Sequence, residues 1–223
     1  MKYALLFSLL SVILTFIAST TQGWAFLLLW PALSFGIVSI GYFSIGPPVF
    51  GKSSQGILSP ITKVLVLPYL LLLHAVWQLA RVVSREPAYH QITEKVWIGR
   101  RLLSHELPTE IDHVIDLTCE FNEPEALRLC NYNSYQILDA HVPTLSQLRI
   151  WLNETSKLTG TLYIHCAQGH GRTGLFTAAY LFNSGLTQST DDALKMIQSQ
   201  RPLVRLNRVQ LDFLRALDAI DKQ

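Results

Sequence analysis

The chain has 223 residues, 18 Lys and Arg against 16 Asp and Glu, and three cysteines. That length admits one domain plus an additional segment, and near-balanced charge with no basic stripe excludes a nucleic-acid-binding module. So few cysteines exclude a disulfide framework, and without a CxxC pair or a His-rich spacing no metal site is expected.

The charge is unevenly spread. No Asp or Glu precedes Glu86, and residues 1–80 carry only Lys2, Lys52 and Lys63. This divides the chain into a membrane-like region, 1–85, and a soluble-like domain, 86–223. Within the first, Tyr3 to Ala18 is an apolar run after Lys2, fit for a signal peptide or a first span. Trp24 to Phe43 follows almost at once, after Thr20-Thr-Gln-Gly23. With no Ala-x-Ala-like cleavage site between them, an uncleaved helical hairpin over 3–43 is expected, and Trp24 and Trp30 suit a membrane interface.

Residues 44–63 hold Gly46-Pro-Pro48, Gly51-Lys-Ser-Ser54 and Ser59-Pro60, which predicts a loop. A third apolar helix is expected over 64–80, containing Pro68, His74 and Gln78. Its length suits either a short span or a re-entrant or interfacial helix. The three lysines put the N-terminus and the 44–63 loop inside. A full third span would then carry Arg81, Arg85, Arg100 and Arg101 outward, against the positive-inside rule. The expectation is therefore an integral membrane protein whose 64–80 segment does not cross, leaving the C-terminal domain cytoplasmic. A reducing compartment also suits a free thiol.

From Ile92 the pattern becomes α/β. Lys95 to Gly99 predicts a strand, Ser104 a capped helical turn, and His113 to Leu117 a buried strand. Glu120 to Asn133 predicts a loop or short helix, and Tyr135 to Leu138 a further strand. Thr144-Leu-Ser-Gln147 has the capping-box spacing and opens a helix whose Leu145, Leu148, Trp151 and Leu152 share a face. Thr161 to His165 predicts a strand and Thr173 to Phe182 a helix, with Gly185 as a stop. Thr190 to Ser199 and Asn207 to Ile220 predict the last helices. Alternating strands and helices imply an α/β fold with a central, mainly parallel sheet flanked by helices.

One stretch carries the chemistry: Tyr163-Ile-His-Cys-Ala-Gln-Gly-His-Gly-Arg-Thr-Gly174, a strand, a tight loop and a helix start. A loop entering a helix presents backbone N–H groups without intrahelical acceptors, and the helix dipole adds positive potential. A thiol at Cys166, with a guanidinium nearby, is expected to ionise below its free value of about 8.5. Arg172 supplies a planar fork for two oxygens of a tetrahedral anion. The glycines permit the backbone conformations that turn amides inward. No Gly-Lys-Ser/Thr follows them, which excludes a Walker loop. The bland alternative is a buried structural Cys beside a solvated Arg172.

His165, Cys166, Arg172 and Thr173 together resemble the His-Cys-x5-Arg-Ser/Thr motif of the protein tyrosine phosphatase superfamily. The segment Leu138-Asp-Ala-His-Val-Pro-Thr-Leu-Ser-Gln-Leu148 resembles the acid loop of its dual-specificity branch, and its Asp followed by Pro-Thr-Leu resembles particularly that of the phosphatidylglycerophosphate phosphatase type. Val96-Trp-Ile-Gly99 and Arg201-Pro-Leu-Val-Arg-Leu-Asn207 are similar to that branch's entry strand and the segment before its last helix.

The resemblance implies the cysteine phosphatase fold, Cys166 as nucleophile, and Ala167, Gln168, Gly169, His170, Gly171 and Arg172 as a phosphate-binding loop. It implies Thr173 as the residue assisting departure of the sulfur, with His165 and Asn207 in support. Asp139, on a loop at the carboxyl edge of the sheet, is the expected proton donor. The rival reading is a surface Asp capping a turn. His141 is an alternative donor, and Asp112, Asp116 and Glu120 are weaker ones. Cys119 lies where lipid phosphatases carry a cysteine able to pair with the nucleophile under oxidation. The reading preferred for Cys119 is nonetheless an inert, half-buried thiol.

No cofactor is implied. The expected substrate is a phosphorylated protein or a phospholipid headgroup, and a catalytically silent phosphate-binding module is the reading from another class.

Overall fold

A computed structural model of the protein describes residues 2–21 and 23–221. Gln22, at the turn of the expected hairpin, lies outside the described residues. The chain divides into two compact units: Met1–Arg85 with Cys119–Asn122, and Glu86–Thr118 with Glu123–Gln223.

In the first unit, α1 (Lys2–Thr21) and α2 (Leu29–Ile40) are antiparallel. Ser39 Oγ donates to Ala4 O and bonds Ser8 Oγ, while Ser11 Oγ donates to Ala32 O further along the pair. Small hydroxyl residues at a helix–helix seam allow close approach and keep their polar atoms paired. The outer positions, Leu5, Leu9, Val12 and Phe16, are exposed. Lys2–Thr21 and Gly23–Ile45 are each long and apolar enough to cross a membrane by length and composition.

The expected 44–63 loop is partly structured. Lys52 bridges Leu58, and α3 (Pro60–Leu65) begins inside it, with Pro60 in the first turn. The apolar helix expected over 64–80 is displaced to α4 (Leu67–Val83). Pro68 lacks an N–H, so it is accommodated in the first turn and forces the helix to start beside it. Phe7, Phe35 and Tyr69 form an aromatic cluster, with Phe7 and Tyr69 ring centres 5.4 Å apart and edge to face. The Cys119–Asn122 segment belongs to this unit. The Phe121 ring centre lies 5.0 Å from that of His74 and 5.7 Å from that of Trp77, and Asn122 Oδ1 accepts the Leu58 N–H.

The second unit is an α/β layer structure, as the alternating pattern predicted. Its strands are β1 (Tyr89–Gln91), β2 (Val96–Arg100), β3 (His113–Asp116), β4 (Asn131–Ser134) and β5 (Leu162–Cys166). The order is β1-β2-β5-β3-β4, with only β1 antiparallel. β5 lies between β2 and β3 and is buried along its whole length, with Leu162, Ile164 and Cys166 on one face and Tyr163 and His165 on the other. Alternation sends Ile98, Ile115 and Ile164 into one core and Val114 and Tyr163 into the other.

The helices are α5 (Glu125–Leu129), α6 (Leu145–Thr155), α7 (Gly171–Asn183), α8 (Thr190–Gln200) and α9 (Arg208–Asp221). α6 starts on the expected box: Thr144 Oγ1 accepts the Gln147 N–H, and Gln147 Oε1 accepts the Thr144 N–H. Leu148 and Leu152 then pack into the core with Leu175, Phe176 and Ala179 of α7.

Two expectations shift. Ser104 does not cap its turn; Leu103 holds that place, and Glu106 reaches back to its N–H at 2.8 Å. The strand expected at Tyr135 to Leu138 is displaced upstream to β4. Tyr135 and Ile137 still donate to Asp116 O and Leu117 O, but the Ile137 carbonyl is taken by a side chain of the site instead of by the ladder.

Candidate active site

Cys166 ends β5, and α7 begins five residues later, so Ala167 to His170 must reverse the chain at the carboxyl edge of the sheet. Gly169 makes this possible at φ +73°, where its Cα lies so close to Gly99 that a Cβ would run into the Gly99 backbone.

The loop carbonyls are held from outside. Arg101 N–H donates to Ala167 O, Arg201 Nη2 to Gln168 O and Arg201 Nε to Gly169 O. In a planar trans peptide the following N–H points the opposite way. The amides of Gln168, Gly169 and His170 therefore face away from those donors, as an anion cradle requires.

Arg201, 1% exposed, is the anchor of this arrangement. Besides the two loop carbonyls it donates to Pro87 O and His90 Nδ1, and its Nη2 lies 2.6 Å from Glu86 Oε2. All five guanidinium N–H groups thus find acceptors, the condition under which a buried charge is tolerated. Burial lowers the Arg201 pKa and Glu86 opposes that shift. Burial, then Arg201, lowers that of His90, which accepts through Nδ1 and so carries its proton on Nε2. The same Glu86 oxygen lies 2.8 Å from His170 Nε2, tying the loop histidine to the clamp.

Arg172 stands in the first turn of α7 and is 1% exposed. Its Nη1 donates to Ile137 O at 2.9 Å and Leu117 O at 3.4 Å, and its Nη2 lies 3.4 Å from Asp139 Oδ1. The structure thus brings together Arg172 and Asp139, well separated in sequence, at the edge where Cys166 lies. The Asp139 side chain is about half exposed, with 54% of its surface accessible, while Cys166 is buried at 4%. Thr173 is wholly buried, and its Oγ1 makes no hydrogen bond among the described residues.

His165 is buried on β5, stacked on Tyr163, with Nε2 3.5 Å from Glu123 Oε1. Arg101 Nε lies 3.4 Å from Glu123 Oε2. Donor atoms of Asp116, Glu123 and His165 fall within 4.8 Å of one another, the one grouping among the described residues with the makings of a metal site. Both Asp116 oxygens are engaged, Oδ1 by Thr118 and Oδ2 by the Tyr132 hydroxyl, and Arg101 supplies positive charge to Glu123. Glu123 therefore lies between two nitrogen-bearing side chains, Arg101 and His165.

The weaker donor candidates are occupied elsewhere. Asp112 Oδ2 accepts the Thr161 N–H, and Glu120 Oε2 accepts from the Cys119 amide and thiol. Cys119 is wholly buried, where half-burial was expected. His141 Nδ1 lies 3.0 Å from Asp139 O, within the same loop as the expected donor. Asn207 reaches that loop as well, donating to Ala140 O.

Sequence reasoning missed Glu86 and Gln210. Glu86 meets His170 from far away in the chain and had no local signal. Gln210, three residues after Asn207, had one, since Asn-x-x-Gln has capping-box spacing.

A strand-loop-helix cradle closed by a buried arginine fork suits a tetrahedral oxyanion. The family model of the dual specificity phosphatase catalytic domain matches residues 103–219, more than half of the chain, and the chain belongs to that family.

The phosphatidylinositol 3,4,5-trisphosphate 3-phosphatase and protein-tyrosine-phosphatase PTEN1 of Arabidopsis thaliana is 37% identical over 70 residues, 28% of this chain and 16% of that protein. The match therefore spans about one sixth of that relative's length. The crystal structure of Tk-PTP in the active form is similar over 60% of this chain and 97% of its own, at 26% identity and a TM-score of 0.52. That of PTPMT1 in complex with PI(5)P is similar in fold over 60% and 96%, at 21% identity and a TM-score of 0.51.

Proposed function

We propose that the protein is a membrane-anchored phosphomonoester hydrolase that works through a phosphocysteine, with phosphotyrosyl and phosphoseryl or phosphothreonyl proteins as substrates. One observation carries the reading: Arg172, buried beside the Cys166 loop, lies 3.4 Å from Asp139, so cradle, cation and proton donor converge on one edge of the sheet.

In the first step the Cys166 sulfur attacks phosphorus, the ester P–O bond breaks, and Asp139 gives its proton to the departing oxygen. Arg172 and the loop amides hold the equatorial oxygens. In the second, water attacks phosphorus and passes a proton to Asp139, and the S–P bond breaks while the Thr173 hydroxyl donates to the leaving sulfur. Only water is consumed, and no cofactor takes part.

A second reading, a phospholipid headgroup as substrate, is favoured by the apolar helices and by the PI(5)P bound in the PTPMT1 structure. Against it, residues 167–171 contain no Lys or Arg, and His170 is matched by Glu86. Little charge is left over for a highly anionic headgroup.

The test is turnover by the full-length protein of an aryl phosphate, a phosphotyrosyl peptide, and phosphatidylglycerophosphate or a phosphoinositide in vesicles. Hydrolysis of the aryl phosphate and peptide with the higher kcat/KM supports the proposal. Preference for either lipid replaces it with the second reading, and no phosphate release at all leaves a silent binding module.

The anchored domain is proposed to face the cytoplasm. Lys195, whose side chain is 76% exposed, gives a reporter position. A Lys195→Cys variant is expected to react with an impermeant maleimide only after lysis, above the wild-type background. Reaction in intact cells would reverse the sidedness.

A further inference from the structure

α9 opens with a capping box made of two amides. Asn207 Oδ1 accepts the Gln210 N–H at 3.0 Å, Gln210 Oε1 accepts the Asn207 N–H at 3.1 Å, and Asn207 O accepts the Leu211 N–H. A Ser or Asp with a Glu would cap this helix as well. α6 manages with a threonine. What the two amides add is a pair of NH2 groups left over after the box has closed, and both point at one loop.

Asn207 Nδ2 donates to Ala140 O at 2.8 Å, and Gln210 Nε2 donates to His141 O at 3.4 Å. These carbonyls belong to the two residues that follow Asp139. Ala140 itself sits at φ +60°, the one non-glycine residue at positive φ among the described residues. For an L-residue that conformation costs on the order of 1–2 kcal/mol and persists only where neighbours over-determine it. Gln210 is buried and lies against the first residue of α7, so close that a Cβ on Gly171 would come within 3.2 Å of its Oε1. One side chain thus touches the acid loop, the start of α9 and the residue before Arg172.

We infer that Asn207 and Gln210 are positioning residues for proton donation: they fix the backbone after Asp139 so that its carboxyl stays beside Arg172. The inference rests on the proposed role of Asp139 as the acid. It separates the helix-capping function of the box, which any good acceptor performs, from its loop-holding function, which needs the NH2 groups.

Asn207→Asp and Gln210→Glu keep the capping acceptors and remove the donors. Asn207→Ser keeps a capping oxygen and removes the NH2 group without adding charge, its shorter hydroxyl taking the place of the amide. The readout is kcat/KM, which reports formation of the phosphoenzyme, for p-nitrophenyl phosphate and for phenyl phosphate. The second has the poorer leaving group and depends more on a proton donor. Melting temperature is followed in parallel.

The expected result is a loss of about 10- to 100-fold on phenyl phosphate, part of the roughly 10²- to 10⁴-fold that general acid catalysis supplies. The nitrophenyl ester and the melting temperature should change little. A purely structural role would depress both substrates together, and that result overturns the inference.

Asp139→Asn is the companion variant. If it shows the leaving-group-dependent loss while the amide variants do not, the positioning role fails and the acid assignment stands. If Asp139→Asn lowers both esters equally, the acid assignment itself fails and the inference falls with it.

Discussion

Replacing Cys166 by serine is expected to abolish turnover of every phosphomonoester while leaving phosphate or vanadate binding within a few-fold of wild type. The exchange alters one atom of a side chain that is 4% exposed at the end of β5, so the surrounding structure has little reason to move. The cradle is built independently of that sulfur. Its carbonyls are held by Arg101 and Arg201, its turn by Gly169 and its cation by Arg172. A serine hydroxyl in the same place is a poor nucleophile without an adjacent base to deprotonate it. The loss should be on the order of 10³-fold or more, the scale reached when an activated nucleophile is removed and the binding groups remain. Residual turnover within about tenfold of wild type would rule out a phosphocysteine. Loss of anion binding together with turnover would instead mean that the thiol organises the loop.

The strand-loop-helix layout of the candidate catalytic segment was legible because its logic is local. An apolar strand, two glycines, an arginine and an apolar helix follow one another, and the chain has no other way to bury β5 and α7 than to put the loop at the sheet edge. Asp139 was legible for a related reason, since strand ends on one edge share neighbours. What escaped the sequence depends on distant partners. Nothing near Glu86 announces that it will meet His170 and Arg201, although those contacts hold the loop. The strand expected at Tyr135 was displaced because Arg172 captures the Ile137 carbonyl, a competition no propensity encodes. Composition set residues 1–85 apart from the rest, yet it gave no sign that Cys119–Asn122 would join them in one compact unit. Phe121, which stacks near Trp77 and His74 there, looked like one apolar residue in a polar loop.

The second large effect is expected at Arg172, where lysine should be almost as damaging as alanine. The guanidinium spans several jobs at once: Nη1 binds the carbonyls of Ile137 and Leu117, and Nη2 faces Asp139. Its planar fork has donors enough to anchor itself and still present N–H groups to two oxygens of a phosphoryl group. An ammonium is a compact, strongly hydrated charge on a flexible stem and cannot reproduce that fork. At 1% exposure it would also sit where charge is costly without full hydrogen bonding. Arg172→Lys is therefore expected to lower kcat/KM on the order of 10³-fold, at or above the roughly 10²- to 10³-fold cost of deleting one transition-state donor elsewhere. The carbonyls of Ile137 and Leu117 lose their partner as well, so stability should fall by about 1–3 kcal/mol, readable in a denaturant titration. The decisive comparison is between the two losses. If activity falls only in proportion to the fraction unfolded, Arg172 is a strut between strand ends. If the Arg172→Lys variant remains inactive under conditions where it is fully folded, the fork itself grips the phosphoryl group.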